Sequence, residues 1–307
     1  AALTQALPAQ CRGYFYARRR DNTIAVFAGT ETKLYMLNNT TLQWEDVSKG
    51  AGTYTTLNAN AHWTFAQFND YVIAAQANDA VQAMDMENDT EFDDLTGSPP
   101  DAAYVTVVGR FLVLSGLASE PFRVQWSALN DITGWAAGTD SSDFQDLPDG
   151  GVVRRVEGGE IGVILQDLAW RRMVYQPGSE VVFSIERIGK DIGIMYPYAA
   201  VSSGSRLFVL TPKGFIMSDV SGQQVEIGAE RVDKTFMAAH DASASQYVLA
   251  AADPRAHTVV FTYREAGSVT DGFTKAVLYN WNLDRWTPFD VTGEYIASLS
   301  QPGLTIE

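Results

Sequence analysis

The stretch Leu34-Tyr-Met-Leu-Asn-Asn-Thr-Thr-Leu-Gln-Trp-Glu-Asp-Val-Ser48 predicts a strand, a turn and a second strand. Its first four residues are apolar, and the two asparagines that follow supply turn chemistry, because asparagine tolerates left-handed backbone angles. The residues from Gln43 to Val47 then alternate, which places Trp44 on one face of the second strand.

The same pattern recurs twice downstream. It returns as Leu278-Tyr-Asn-Trp-Asn-Leu-Asp-Arg-Trp-Thr-Pro-Phe-Asp290, where Tyr279 precedes Trp286 as Tyr35 precedes Trp44. A looser copy runs from Val81 to Leu95, with Phe92 in the place of the tryptophan. A pattern that recurs in this way indicates a repeat architecture.

The repeated pattern belongs to a longer unit of four short strands joined by turn residues. Six such units follow one another at spacings of about 36 to 50 residues. We therefore predict an all-β fold, a β-propeller of about six four-stranded antiparallel blades. Short helical insertions are expected at 130–135 and 229–239. A two-domain β-sandwich is the competing fold, but it does not explain the recurring pattern.

The predicted propeller spans residues 12–291, after an N-terminal arm at 1–11. Residues 292–307 form the start of a further strand or a closing segment, and Tyr295 to Leu299 has strand character. Because an open sheet edge promotes aggregation, we expect this strand to lie beside an N-terminal segment or to pair with further chain. The chain starts at Ala1 without methionine, so we expect trimmed ends.

Large aromatic residues recur at matching places in the units, as expected if each blade packs its aromatic side chains against a neighbour. The predicted core aromatic residues are Tyr35, Trp44, Trp63, Phe92, Trp126, Trp135, Trp281 and Trp286.

The composition argues against several classes of function. With 37 acidic and 22 basic side chains the net charge is −15, whereas a general nucleic-acid binder normally carries a basic face. No apolar run is long enough to predict membrane insertion. Cys11 is the single cysteine, which excludes an internal disulfide and a cysteine-based zinc site.

The sequence predicts no enzyme site, cofactor or metal. The three histidines, His62, His240 and His257, lie in different units and none has a second ligand at metal spacing. No Gly-x-Ser-x-Gly motif and no phosphate-binding loop are present. A catalytic triad based on one of these histidines would need the fold to bring a serine and an aspartate close to it.

Two acidic loops are the candidate interface or channel surfaces. Asp85-x-Glu87-x-Asp89 resembles the start of a calcium loop, but Thr90 replaces the required glycine and Thr96 the required glutamate. A solvated turn is the favoured interpretation. The candidate loop residues are Asp85, Glu87, Asp89, Asp93, Asp94, Asp140, Asp143, Asp146 and Asp149.

The basic residues form three isolated clusters, at 18–20, 154–155 and 171–172. In an acidic chain such clusters are expected to pair with carboxylates at turns, or to lie at a subunit interface, where arginine is enriched.

Several stretches resemble structural proteins of short-tailed bacteriophages and prophages. They run from Val124 to Trp135, from Ser142 to Gly151, from Ile227 to Phe236 and from Phe27 to Tyr35. The resemblance extends over most of the chain. The family that these stretches resemble is similar in role to tail nozzle or tail hub proteins. Those proteins form hexameric tubes below the portal and adaptor and carry β-propellers around a DNA channel.

The resemblance implies a virion structural protein in a homo-oligomer, a hexameric ring that contacts adaptor and fibre proteins and through which duplex DNA passes transiently. It would be made in the cytoplasm of the host bacterium and reside in the virion tail. If DNA slides through such a ring, the channel should be acidic, because basic side chains would bind the phosphates.

Two alternatives belong to other functional classes. A carbohydrate-binding or carbohydrate-cleaving tail propeller would need exposed aromatic residues beside paired carboxylates in one cleft. A scaffold propeller for protein–protein interaction would need a monomeric ring with a grooved top face.

Overall fold

The computed structural model of the protein describes residues 5–219 and 221–298. In this part of the chain the strands form six four-stranded antiparallel sheets, each built from four consecutive strands. We call these sheets blades 1 to 6. The structure confirms the predicted all-β propeller of six blades with little helix.

The first half of the molecule contains three blades. Blade 1 consists of β1 (Tyr14–Arg18), β2 (Ile24–Gly29), β3 (Leu34–Leu37) and β4 (Trp44–Asp46). Blade 2 consists of β5 (Thr64–Phe68), β6 (Tyr71–Ala75), β7 (Gln82–Asp85) and β8 (Asp93–Asp94). Blade 3 consists of β9 (Ala102–Val108), β10 (Phe111–Leu117), β11 (Arg123–Trp126) and β12 (Asp143–Asp146).

The second half repeats the arrangement with longer strands. Blade 4 consists of β13 (Val153–Glu157), β14 (Gly162–Gln166), β15 (Ala169–Tyr175) and β16 (Phe183–Lys190). Blade 5 consists of β17 (Ala200–Ser203), β18 (Arg206–Thr211), β19 (Gly214–Asp219) and β20 (Gln224–Glu226). Blade 6 consists of β21 (Ala250–Asp253), β22 (Thr258–Tyr263), β23 (Phe273–Asn280) and β24 (Arg285–Gly293).

Helical structure is confined to short connections. Helix α1 (Asp233–Ala239) lies within the range predicted from sequence, and 3-10 turns occur at Lys49–Ala51, Pro148–Gly150 and Ser245–Tyr247. The helical turn expected at 130–135 is wrong. Asn130 has a left-handed backbone (φ 59°) and the segment is a pair of turns, because a right-handed helix cannot accommodate that conformation.

Successive blades are held together by apolar clusters that fill the space between their faces. One cluster joins blades 1 and 2, and others join blades 2 and 3, blades 3 and 4, blades 4 and 5, and blades 5 and 6. Each sheet therefore buries side chains on one or both of its faces, as the alternating periodicity requires.

Trp63 is the largest fully buried side chain between blades 1 and 2. Its indole nitrogen donates a hydrogen bond to the Thr30 carbonyl oxygen at 2.9 Å. The ring lies against Gly29, where a Cβ atom would come within 2.4 Å of the indole Cδ1 atom. Glycine at this position lets the indole approach the backbone of β2.

The other predicted core aromatic residues differ in burial. Phe92, Trp126 and Trp135 are buried between blades, and Trp281 and Trp286 are partly buried against the cluster of blades 5 and 6. Tyr35 and Trp44 are also only partly buried, and they contribute to none of the core clusters of the described residues. They lie on the face of blade 1 that points away from blade 2.

The N-terminal arm contacts the segment that follows blade 6. Cys11, in the N-terminal arm, donates a backbone hydrogen bond to the Glu294 carboxylate at 2.7 Å. Strand β24 continues to Gly293, two residues past the predicted boundary. Residues 295–298 form no strand ladder, although they return to the axis beside the N-terminal segment, and Leu299 lies outside the described residues.

We predict that Trp63→Ala lowers the free energy of unfolding by about 3 to 5 kcal/mol, because it leaves a cavity between two blades. The matched control is Trp44→Ala, the same truncation at a partly buried site, which should cost less than about 1.5 kcal/mol. Urea unfolding followed by fluorescence and circular dichroism measures both. Equal losses for the two variants would contradict the assignment of Trp63 to the core.

Candidate functional site

The first strands of all six blades surround a central cavity of about 230 Å³. Its wall includes Tyr14 to Tyr16 from β1, Trp63 to Phe65 from blade 2, and Arg155 from β13. Each blade begins at the axis and continues outward. The side chains that line the axis therefore come from the first strand of each repeat.

Aromatic residues fill one end of this cavity. Tyr104 packs against Tyr198 with ring centroids 5.8 Å apart, and Tyr198 packs edge-on against His62 at 4.7 Å. Tyr295, from the segment that follows blade 6, contacts His62 at 5.1 Å. Side chains from four separate parts of the chain therefore pack together at this end of the axis.

His62 is held as a neutral imidazole in this aromatic cluster. Its Nε2 atom lies 2.6 Å from the Gln246 carbonyl oxygen and so carries the proton that it donates. Its backbone N–H donates to the Tyr198 hydroxyl at 2.8 Å. Burial, and secondarily the nearby Arg12 guanidinium, lower the pKa of His62 to about 4. His62 thus serves as packing rather than as a base exposed to solvent.

Arg12 lies just before blade 1 and holds the chain in position there. Its buried guanidinium donates to the carbonyl oxygens of Asn58 at 3.1 Å and Ala59 at 2.8 Å, and its Nε atom donates to Ala61 at 3.1 Å. These bonds fix the connection between blades 1 and 2, because charged donors form strong hydrogen bonds to carbonyl oxygens.

A charged pair lies farther along the axis. Arg155 Nε is 2.5 Å from Glu157 Oε1, and the Ser202 hydroxyl donates to Glu157 Oε2 at 3.3 Å. Burial raises the pKa of Glu157, and the neighbouring Arg155 opposes that shift. Glu157 and Ser202 also border an open cavity of about 660 Å³ at this mouth of the axis.

The first acidic loop lies on the outer part of blade 2. Asp85 accepts hydrogen bonds from the Glu87 backbone and the Asn88 side chain, and Asp89 accepts one from the Asp85 backbone at 2.8 Å. The carboxylates are thus engaged with their own turn. The hydrogen bond from Asn88 is the main reason why the pKa of Asp85 is lowered.

Asp93 and Asp94 follow in β8, the outermost strand of the same blade. Lys49 Nζ lies 3.0 Å from Asp93 Oδ1 and 2.6 Å from Asp94 Oδ2, which lowers the pKa of both carboxyls. These exposed ion pairs connect the rims of blades 1 and 2, and each contributes little to stability.

The second acidic loop lies on the outer part of blade 3. Asp143 and Asp146 are in β12, and Arg123 forms a two-point ion pair with Asp146 at 2.7 and 2.9 Å. Asp149 lies 2.5 Å from Arg171 and so links this loop to blade 4. Asp140 has a left-handed backbone at the start of the loop. The structure places both acidic loops on the outer rim, away from the axial cavity.

The predicted basic clusters pair with carboxylates. Arg154 lies 2.6 Å from Asp167, and Arg172 forms an ion pair with Glu186. Arg20 pairs with Asp70. Of the arginines at 154–155 and 171–172, Arg155 borders the axial cavity.

Two further findings concern the described residues. In residues 5–219 and 221–298, no group of three or more His, Cys, Asp or Glu side chains is placed to hold a metal ion. Within the same ranges, no helix has both the length and the apolar character needed to cross a membrane.

The aromatic end of the axis was not identified from sequence. Three of its members share one property: they lie in or just before the first strand of a blade. His62, Tyr104 and Tyr198 occupy such positions, whereas Tyr295 follows the last strand. Aligning the six units on their first strands would have indicated these residues, because first strands line the axis of a propeller.

Comparisons with known proteins support the fold, and they do not indicate a function. No family model and no curated protein matches the chain. Among solved structures, the computationally designed Ika8 protein is similar, with a TM-score of 0.51 and 9% identity over 95% of this chain and 91% of that chain. YCF48 bound to D1 peptide has a TM-score of 0.50 and 10% identity over 92% and 82% of the two chains.

A third similar structure is the extracellular domain of the putative hybrid two-component system BT4673 from B. thetaiotaomicron, with a TM-score of 0.49 and 10% identity. This chain covers 30% of that protein, and 80% of this chain is aligned. At such identities the similarity concerns the fold alone.

The buried neutral His62 predicts a pH-dependent stability. Its pKa is about 4 in the folded protein and about 6.5 when unfolded, so the unfolded chain binds more protons between these values. Stability contributed by the neutral imidazole is therefore present above pH 6.5 and is lost as the pH falls toward 4. We expect a loss of about 2 kcal/mol from this residue between pH 7 and pH 5.

The variant His62→Gln isolates this contribution, since glutamine retains a donor for the Gln246 carbonyl but does not titrate. Urea unfolding at pH 7 and pH 5 should show a smaller difference for the variant than for the unmodified chain. The same difference in both proteins would show that His62 is not the group responsible.

Proposed function

We propose that the protein is a structural subunit that makes its contacts through its outer surface and blade edges rather than through its axis. The observation that carries this proposal is the aromatic packing at one end of the axis. Tyr104, Tyr198, His62 and Tyr295 contact one another there, at the end of the central cavity. A six-bladed scaffold of this kind is suited to protein–protein interaction.

The outer rim offers the surface that such a role requires. Blades 2 and 3 carry carboxylates on their outermost strands, including Asp93, Asp94 and Asp143. The arginine and lysine partners of this rim come from neighbouring strands and blades, as with Lys49 and Asp94. The rim is thus rich in charges that can exchange partners when a second subunit approaches, which favours fast, salt-dependent association.

Within this class, we favour a structural component of a short phage tail, in the nozzle or hub, that forms part of a ring through which DNA is ejected. The support is the resemblance of several stretches of the sequence to that family, together with the net charge of −15. An acidic ring lets DNA slide, because each phosphate paired with a basic side chain would add salt-dependent affinity. In this proposal the protein is not an enzyme and requires no cofactor.

We expect the purified chain to assemble with other copies into a closed ring of six. Native mass spectrometry gives the copy number, and negative-stain electron microscopy gives the shape of the particle. The charge-reversal variant Asp93→Lys with Asp94→Lys should weaken assembly if the blade 2 rim faces a neighbour. A chain that stays monomeric at high concentration, and binds no tail protein from the same virion, would contradict the tail proposal.

We also expect the assembled particle to bind duplex DNA weakly. Fluorescence anisotropy with a labelled duplex of about 30 base pairs should give a dissociation constant above about 10 µM at about 50 mM salt. Tight binding that weakens steeply with added salt would indicate a basic DNA-contacting surface and would contradict the sliding channel.

A further inference from the structure

The central cavity lies next to a wider opening of the axis. We call the open cavity of about 660 Å³, which Glu157 and Ser202 border, the mouth cavity. Phe15, Phe65 and Val201 border both the mouth cavity and the central cavity of about 230 Å³. The rings of Phe15 and Phe65 stack on each other, with centroids 5.8 Å apart. The central cavity is therefore adjacent to solvent on the side of the mouth.

Arg155 is the charged side chain, among the described residues, that borders the central cavity. Although it lies at the axis, 28% of its side-chain surface remains exposed. Its Nη1 atom donates to the Pro197 carbonyl oxygen at 3.4 Å, and its Nε atom lies 2.5 Å from Glu157 Oε1. A guanidinium group has five N–H donors, which is more than these two partners accept. Donors of Arg155 therefore remain for a ligand in the cavity.

A β-bulge in the first strand of blade 4 turns Arg155 away from the apolar cluster. The strand register shifts between Val153 and Arg155. Val153 and Val156 both pack in the cluster of blades 3 and 4, although residues three apart lie on opposite faces of a regular strand. Arg155 and Glu157 consequently share the other face. Bulges next to binding sites serve to re-aim a side chain in this way.

Three tyrosines of the aromatic cluster add hydroxyl groups to the wall of the central cavity. They are Tyr104, Tyr198 and Tyr295. Burial raises the pKa of each of these hydroxyls, and the positive charge of Arg155 opposes the rise in all three. The three hydroxyls are therefore neutral hydrogen-bond donors, and they lie close enough to Arg155 to act with it on one ligand.

The charge around the central cavity is opposite in sign to that of the whole chain, which carries −15. The charged side chains that act most on the Tyr104 and Tyr198 hydroxyls are arginines, namely Arg12, Arg154 and Arg155. Arg154 is paired with Asp167 and Arg155 with Glu157. Arg12 instead donates to carbonyl oxygens and so keeps its full charge. This balance leaves one positive charge in excess, which favours a ligand with a single negative charge.

The remaining wall of the central cavity is apolar. Phe15, Phe65, Val201, Leu249 and Ile296 border it. An apolar cavity of about 150 Å³ holds a benzene ring. The volume of about 230 Å³ therefore accommodates an aromatic ring together with one small polar group.

We propose that the central cavity binds a small organic carboxylate, which Arg155 and the tyrosine hydroxyls hold by its carboxylate group and which Phe15 and Phe65 contact through its apolar body. The planar fork of a guanidinium matches the two oxygens of a carboxylate. A phosphate monoester fits less well, because it carries close to two negative charges at neutral pH. This site goes beyond the role proposed above, since it takes a small molecule and leaves the contacts between subunits at the rim.

Isothermal titration calorimetry of the full chain with benzoate tests this proposal. We expect a dissociation constant of about 1 mM or lower. Benzamide lacks the charge and inorganic phosphate lacks the apolar body, so each should bind at least about tenfold more weakly. Arg155→Gln with Glu157→Gln removes the cation without leaving a buried unpaired carboxylate, and it should weaken benzoate binding about tenfold or more. The matched control is Arg20→Gln with Asp70→Asn, an ion pair at the surface, which should leave the affinity unchanged.

A second variant covers the case in which the double variant does not fold. Tyr104→Phe keeps the ring and removes one hydroxyl donor, so benzoate should bind about threefold to tenfold more weakly while circular dichroism stays unchanged. The proposal is overturned if benzamide or phosphate binds as tightly as benzoate, or if both sets of axial variants keep the full affinity. A chain that takes up no benzoate at concentrations up to about 10 mM overturns it as well.

Discussion

The structure depends on one constraint: a sheet with apolar residues on both faces must be covered on both faces. Strand β6 shows the requirement most simply, because Val72 and Ala74 pack toward blade 1 while Ile73 and Ala75 pack toward blade 3. All four side chains are fully buried. Radial repetition satisfies this need for every inner blade, since each sheet serves as the cover of the next. The two terminal blades are the places where the constraint is not met by a neighbouring blade.

The same arrangement determines the content of the axis. First strands converge there, so the side chains at their ends must share a small volume. Tyr104, Tyr198 and His62 use it for aromatic packing, and the chain adds Tyr295 from the segment after blade 6. Burial suppresses the charge on the imidazole. Aromatic packing of this kind at the axis stabilises the ring.

Much of the fold could be predicted from sequence because the signals are local. The pattern around Tyr35 and Trp44 correctly gave β3, a turn and β4, and its copy gave β23 and β24. Asparagine and glycine turns marked the hairpins. The helical turn at 130–135 failed because Asn130 adopts a left-handed backbone in a turn, and local composition did not reveal that.

The candidate site was harder to predict because it depends on neighbours in space. Trp44 and Trp286 occupy equivalent places in the repeat, yet only Trp286 has a blade to pack against. No sequence pattern distinguishes them. The composition of the sequence was enough to find the acidic loops. Their location on the outer strands follows from the order of strands within each blade, and so does their pairing with Lys49 and Arg123.

The most direct test of this account is an experimental structure of the 307-residue chain, by crystallography or by electron microscopy of its assembly. The account predicts five apolar interfaces between consecutive blades and a sixth space, between blade 6 and blade 1, where no such direct interface forms. A closed ring in which Val260 and Leu278 pack directly against Tyr35 and Trp44 would contradict it.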